Sequence, residues 1–267
     1  MNLLIDIGNT RIKFGYALAT GERCVQHTLA VIPQDLDQFV PWLQHHGLQP
    51  KRALLISVAK ADVEQQVLQM LQGIGCDIIW LDATQPCDRL RNGYDQPSQL
   101  GADRWLSLIG VLVHHHALAR PIVHASFGTA TTVDTIRAAT STESALFQGG
   151  LILPGPQLMY EALATKTAKL GQGSGMLLDF PTHTRAAIST GIAAAQAGAV
   201  LRQWQLALDL GLGVPLLVCS GGGWALIQTE MEQAYQQRQR QLQLTPEALR
   251  YQPTPVLDGL AYMTTQC

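Results

Sequence analysis

Apolar positions recur at period two near the start of the chain and at period three to four in several later stretches. Leu3 to Ile7 is a short apolar run, and in Arg11 to Tyr16 the positions alternate, Ile12 and Phe14 facing one way and Arg11 and Lys13 the other. Joined by Gly8-Asn9-Thr10, the two arms predict a β-hairpin with a polar tip. Leu36, Phe39, Val40 and Leu43 give Asp35 to His46 helical spacing. Ala53 to Val58 then reads as a buried strand, Ala61 to Gly73 as a helix and Cys76 to Leu81 as a strand. Asp82 to Leu100 is a long, turn-rich loop, and long loops in compact domains are often functional. A very apolar helix follows (Trp105, Leu106, Leu108, Ile109, Val111, Leu112, Val113), with Asp103 and Arg104 in its first turn.

The second half keeps the rhythm. Strands are predicted at Pro121 to Ala125, Phe147 to Leu153 and Pro215 to Cys219, with Pro154-Gly155 ending the middle one. Helices are predicted from Pro156 to about Lys169, from Ala186 to Leu210, from Trp224 onward and from Val256 to Met263. A Gly-rich loop fills Leu170 to Gly175, and the Gln-rich tail Gln233 to Gln243 reads as a solvated helix face. Alternating strands and helices predict a mixed α/β sheet.

One element occurs twice. Ser126-Phe127-Gly128-Thr129-Ala130 follows its strand as Asp6-Ile7-Gly8-Asn9-Thr10 follows the first, each with a glycine, a hydroxyl-rich tip and a second β-rich arm. The repeat predicts two halves of similar build, 1–118 and 119–267, with a nucleotide clamped in the cleft between two phosphate hairpins. A lone tip of this kind fits either an ordinary tight turn or a phosphate cradle, in which Asp6 would hold a metal or its water.

Composition narrows the field. Of 267 residues, 47% are hydrophobic and only 14% charged, enough for a large core. The net charge of −2 and the lack of a basic block speak against nucleic acid or an anionic membrane as partner. Five scattered cysteines without a CxxC fit free thiols in a reducing compartment. Asp6 interrupts the first apolar run too early for a secretion signal, and no run is long enough to span a membrane, so a cytoplasmic protein is expected.

Asp103 heads a helix that must be buried. It reads either as a capping residue beside a surface Arg104 or as a carboxylate fixed for catalysis. His114-His115-His116 does not make a metal site, because consecutive helical residues point about 100° apart. Ser220-Gly221-Gly222-Gly223, between a strand and a helix, would let backbone lie flat on a planar ring or a phosphate.

In this order the pieces resemble the type III pantothenate kinases, in the branch also called Bvg accessory factors, within the acetate and sugar kinase, heat-shock chaperone and actin superfamily. The resemblance rests on DIGNTRIKFG at 6–15, Tyr94 and Pro97 before LGADR at 100–104, GTATTVD at 128–134, GGLILPG at 149–155, Thr184 before TGI at 190–192, and SGGG at 220–223. It implies two actin-like (ribonuclease H-like) halves and ATP-dependent phosphorylation of pantothenate, the first step of coenzyme A biosynthesis. By that likeness Asp103 would match the catalytic base, and Tyr94, Gly101, Ala102, Arg104 and Thr184 the pantothenate contacts. Asp6, Ile7, Gly8, Asn9, Thr10, Arg11, Ile12, Lys13 and Thr129 would match the ATP site, with Mg²⁺ anchored by Asp6 through water. A homodimer is implied as well. The family commonly has an acid holding potassium or ammonium two residues before the Gly of GTATT, where this chain has Ser126; weaker or absent cation activation is expected. The competing readings are a kinase of another small hydroxyl acceptor and a nucleotide-binding regulator.

Overall fold

The computed structural model describes residues 1–116, 119–166 and 175–266. The chain forms two compact units, one comprising Met1–Leu118, Ala139–Phe147 and Thr254–Cys267, the other Ala119–Ala138 and Gln148–Pro253. The first unit is thus assembled from three separate stretches of chain.

In the first unit β1 (Asn2–Ile7) and β2 (Ile12–Ala17) form an antiparallel hairpin, with Ile7 opposite Ile12 and Asp6 opposite Lys13. β3 (Leu29–Val31) extends the sheet beyond β2. β4 (Arg52–Ser57) and β5 (Asp77–Trp80) join in parallel on the other side, giving the order β3-β2-β1-β4-β5. A short 3₁₀ turn (Pro33–Gln38) precedes α1 (Phe39–His45), so the helix predicted from Asp35 starts later: Asp35, at φ −107° and ψ 23°, breaks the helical path. α2 (Ala61–Gly73) is the crossover that parallel neighbours require. Leu3, Ile5, Ile7, Ile12 and Phe14 pack with Phe39, Leu43, Val67 and Leu71 on one face of this sheet. Within the loop predicted at Asp82 to Leu100, the structure forms a short strand, β6 (Leu90–Asn92), and a 3₁₀ turn at Pro97–Gln99. α3 (Ala102–His115) starts where the apolar pattern predicted.

The second unit repeats the plan. β7 (Ile122–Phe127) and β8 (Ala130–Arg137) form its hairpin. β9 (Ala145–Pro154) begins in the first unit, where Ala145–Phe147 pair with β6, and continues beside β8. α4 (Pro156–Lys166) follows; the rest of the helix predicted to about Lys169, and the Gly-rich loop up to Gly175, lie outside the described residues. Then come α5 (Thr184–Asp209), β10 (Leu216–Ser220), α6 (Trp224–Gln241) and β11 (Arg250–Tyr251). β10 pairs in parallel with both β7 and β11. The order β9-β8-β7-β10-β11 therefore matches β3-β2-β1-β4-β5 strand for strand.

Val123, Ala125, Phe127, Val133 and Leu217 pack against Ala193, Ala197, Val200 and Trp204 of α5 and Ile227, Met231 and Tyr235 of α6. The small residues of α5 thus let it approach the sheet closely. The Gln-rich tail is not wholly solvated: Gln239 is buried, donating from Nε2 to the carbonyl of Glu247 (3.0 Å) and accepting the Glu247 N–H at Oε1 (2.7 Å). No helix among the described residues is long and apolar enough to cross a membrane.

The chain then returns to the first unit as α7 (Pro255–Met263), buried along nearly its whole length and packed on α3. The two helices touch backbone to backbone. A Cβ on Gly110 of α3 would lie 2.0 Å from the Pro255 carbonyl oxygen, and one on Gly259 of α7 would lie 1.9 Å from that of Leu106. Next to this contact Asp258 is buried, ion-paired to Arg23 and 3.5 Å from Nε2 of His114. Arg23 also donates to the hydroxyls of Thr28 (2.7 Å) and Thr254 (2.9 Å). His114, the first residue of the histidine triplet, is therefore a partner of a buried carboxylate, which raises its pKa.

Because backbone atoms cannot yield as a flexible side chain can, Gly110→Ala and Gly259→Ala are each expected to lower unfolding free energy by about 2–3 kcal/mol or more. Urea unfolding at unchanged m-value measures this. A loss below about 0.5 kcal/mol, the range of ordinary surface changes, would show that α3 and α7 can separate without penalty.

Candidate active site

The residues picked out from sequence fall into three groups, which lie on the hairpin tip of the first unit, at the head of α3, and in the second unit.

At the first hairpin tip the N–H of Gly8 donates to the carbonyl of Arg11 (3.1 Å), closing the turn. Asn9 Nδ2 donates to the Val58 carbonyl (2.8 Å), and the Val58 N–H donates to that of Ile7 (3.0 Å). The tip is thereby sewn to the chain leaving β4. Asn9 spends an amide N–H on that anchor, where the sequence suggested a phosphate donor. The side chains of Ile7 and Ile12 are buried in the core, so those residues can offer a ligand only backbone. Asp6 is buried, with Oδ2 3.1 Å from Nζ of its cross-strand partner Lys13.

At the head of α3, Gly101 is the capping residue and contributes no side chain; Ala102 opens the helix. Asp103 Oδ1 accepts the N–H of Arg104 (2.8 Å), satisfying one of the unpaired donors of a helix start. Asp103 therefore caps the helix start, and the same bond holds its carboxylate in place. Burial pushes its pKa above the ordinary 3.8; the nearby Asp6 charge adds to the rise, while the N–H and positive charge of Arg104 oppose it. A half-desolvated carboxylate of this kind is a stronger proton acceptor than one in water.

Arg104 is buried rather than on the surface. Its Nη1 donates to Tyr94 Oη (2.8 Å), and its guanidinium carbon lies 5.7 Å from the ring centroids of both Tyr94 and Phe147. The two rings stack at 5.4 Å. The long loop thus delivers an aromatic that, with Phe147, fixes the plane of an arginine fork. Phe147 was read from sequence only as the start of a strand. An aromatic just before Gln148-Gly149-Gly150 was the one available signal, and it does not reveal the Tyr94 stack.

In the second unit the hairpin tip is closed by Gly128 N–H to the Ala130 carbonyl (3.0 Å) and held by Gly155 N–H to the Thr129 carbonyl (2.9 Å). Gly223 N–H donates to the Phe127 carbonyl (2.8 Å). Gly221, at φ +97°, has no room for a Cβ, which would fall 2.4 Å from the Phe127 carbonyl oxygen. Of the three glycines, two are therefore committed to packing on β7, and Gly222 faces open space. Ser126 stands level with Thr132 of β8 and Ser220 of β10, whose hydroxyl bonds Nε2 of the buried His124 (2.9 Å). Thr184 is exposed, at the first turn of α5.

Two sheets of the same strand order, each headed by a glycine-bearing hairpin, define a duplicated α/β fold. A structure from Sinorhizobium meliloti titled as a 2-dehydro-3-deoxygalactonokinase shares the fold (TM-score 0.52, 12% identity, 100% of this chain and 98% of that one). So does a Campylobacter jejuni structure titled as a Baf family transcriptional activator (TM-score 0.56, 17% identity, 99% and 98%). A family model for type III pantothenate kinase matches residues 2–206. The type III pantothenate kinase of Bordetella pertussis is 41% identical over 268 residues, 100% of this chain and 98% of that one. The chain belongs to the type III pantothenate kinase family.

Gly101 offers a selective probe of the Asp103 position. Its backbone, at φ −60° and ψ 137°, accepts any residue, yet a Cβ there would stand 2.6 Å from Asp103 Oδ1. Gly101→Ala should leave thermal stability within about 1 kcal/mol of wild type, because restriction of the unfolded chain offsets the weakened Asp103–Arg104 N–H bond. With Asp103 read as the catalytic base, turnover should fall roughly 10- to 100-fold. Wild-type turnover in a folded Gly101→Ala variant would remove Asp103 from the chemistry.

Proposed function

We propose that this chain catalyses ATP-dependent phosphorylation of pantothenate, giving 4′-phosphopantothenate and ADP, the step that opens coenzyme A biosynthesis. Family membership supports the reaction. The observation that carries the assignment of roles is the head of α3, with a basic carboxylate beside an arginine held by two aromatic rings. On this reading Asp103 accepts the proton of the attacking primary hydroxyl, whose oxygen bonds the γ-phosphorus as the bond to the β–γ bridging oxygen breaks and ADP departs. Proton transfer is late, because the hydroxyl becomes acidic only as it bonds phosphorus. Arg104 and Tyr94 bind the acceptor, Arg104 meeting its carboxylate, with Gly101, Ala102 and Thr184 as further contacts. The tip from Asp6 to Lys13, together with Thr129, binds the nucleotide phosphates through backbone N–H groups and hydroxyls.

ATP is taken with Mg²⁺, which neutralises phosphate charge when bound. A buried carboxylate on the hairpin fits it, and Asp6 would hold it through water, its Oδ2 being already paired with Lys13. A carboxylate-held monovalent cation does not fit the row Ser126, Thr132 and Ser220, which offers hydroxyls and no negative charge.

Pantothenate-dependent release of ADP tests the reading. Turnover should require pantothenate and fall at least about 100-fold in Asp103→Asn. Because the Asp103 pKa is raised and the ionised form accepts the proton, kcat/KM should decline on the acid side at a pH above the ordinary 3.8, as Asp103 becomes protonated. Rates in potassium and sodium should be equal. Pantothenate-independent hydrolysis, or none, would point to another acceptor or to a regulator; strong potassium or ammonium dependence would refute the reading of Ser126.

We also infer a homodimer. Family membership supports it, and Phe180 (90% exposed), Met176 (73%) and Ile152 (64%) are large apolar side chains of the second unit open to a partner. Sedimentation should give one species of twice the 29.0 kDa chain mass, and Phe180→Ser/Met176→Ser should yield monomer. A wild-type monomer at micromolar concentration would end this inference.

A further inference from the structure

The active-site groups of the first unit lie at the C-terminal end of β1. A second concavity, of about 400 Å³, opens at the opposite end of that strand, about 20 Å away by strand length. Asn2 forms its floor, flanked on the sheet by Ala17 of β2 and Arg52 of β4. Ala19, from the turn after β2, forms one wall, Gln49, Lys51 and Arg52 a second, and Thr264, after α7, a third.

The chemistry of this lining is one-sided. Among the described residues Lys51 and Arg52 have no ion pair and no side-chain hydrogen bond. Asp77 stands opposite Arg52 in the β4–β5 register, yet its carboxylate is not within ion-pair distance. Asn2 is only 7% exposed and lines the cavity, and its side-chain amide has no protein partner. That amide is therefore open to a ligand entering the cavity. Thr264 donates its hydroxyl proton to the Ala261 carbonyl (2.7 Å), leaving the oxygen an acceptor.

A guanidinium fork, an ammonium and an amide around one hollow are donors in excess, suited to an oxyanion with several acceptor oxygens. The volume is within the range of small-ligand sites and larger than bare phosphate needs. We propose that this cavity binds a small organic phosphate, with the phosphoryl group on Arg52 and Lys51 and the amide of Asn2 completing its coordination. The site is separate from the nucleotide and acceptor sites and does not depend on which reaction the chain catalyses.

The test is calorimetric titration of the full chain with inorganic pyrophosphate in the absence of Mg²⁺, for wild type, Lys51→Gln and Lys51→Gln/Arg52→Gln. Heat from the hairpins persists in all three proteins; heat from the cavity should saturate at one site per chain. It should weaken at least threefold in the single variant and tenfold or more in the double. Lys51 is exposed and precedes β4, so the single variant is informative even where the double fails to fold. Its turnover at saturating substrates should be unchanged. No component sensitive to Lys51 and Arg52, or citrate binding as tightly as pyrophosphate at that component, would overturn the phosphate assignment.

Discussion

The contact between Gly110 and Gly259 determines where the head of α3 can be. With a Cβ excluded on both sides, the helices meet at backbone distance, and neither can slide or roll without a collision. Asp103 lies seven residues before Gly110, about 10 Å along the axis. A stiff helix pinned at that distance carries little positional uncertainty to its first turn. The pin comes from the far end of the sequence. α7, apolar nearly all round, is buried on every side as such helices must be. The proposed base is therefore placed by a long-range tertiary contact, and its position depends on the whole first unit having folded.

Charge is distributed in the first unit with the same economy. Asp6 faces Lys13 across the hairpin, and Asp258 is bracketed by Arg23 and His114. Burying either carboxylate without a partner would be strongly destabilising. Asp103 is treated differently: its close partner is a peptide N–H, and no cation lies within ion-pair distance among the described residues. Desolvation then outweighs the compensating interactions, and basicity rises. A cation clamped on Asp103 would have fixed it as firmly and made it a poorer proton acceptor.

Local pattern carried much of this to the sequence level. The two hairpins, the crossover helix α2, the start of α3 and the closing helix are written in periods of two and three to four, and the glycine tips announce themselves by composition. What the sequence did not reveal needs a partner from elsewhere in the chain. β3, β6 and β11 have two or three residues each, too few for a period to register. Phe147 matters because Tyr94 stacks on it, and Gln239 is buried because Glu247 loops back to meet it. Arg23 lies in an irregular stretch, and only the return of α7 makes it a core residue. The candidate residues on the two units are legible one by one; the contacts that hold Asp103 and Arg104 are not.

The duplication itself is exact only in the backbone of the anchor. In both copies the residue after the central strand's parallel neighbour, or a few beyond it, donates its N–H to the last carbonyl of that central strand: Val58 to Ile7 in one, Gly223 to Phe127 in the other. The side chains diverge. The first tip spans four residues between paired positions and carries Asp6 two places before its glycine. The second spans three and carries Ser126 there. Backbone donors suit a phosphate wherever it binds, because every oxygen of it is an acceptor. A carboxylate is useful only where a metal or a proton must be held, and beside a second phosphate contact it would repel. Repeating the backbone while placing a carboxylate two residues before the glycine in one copy only leaves phosphate-binding N–H groups on both tips, keeps a metal-holding acid to the first, and, on the proposed reading, leaves proton transfer to Asp103 on α3.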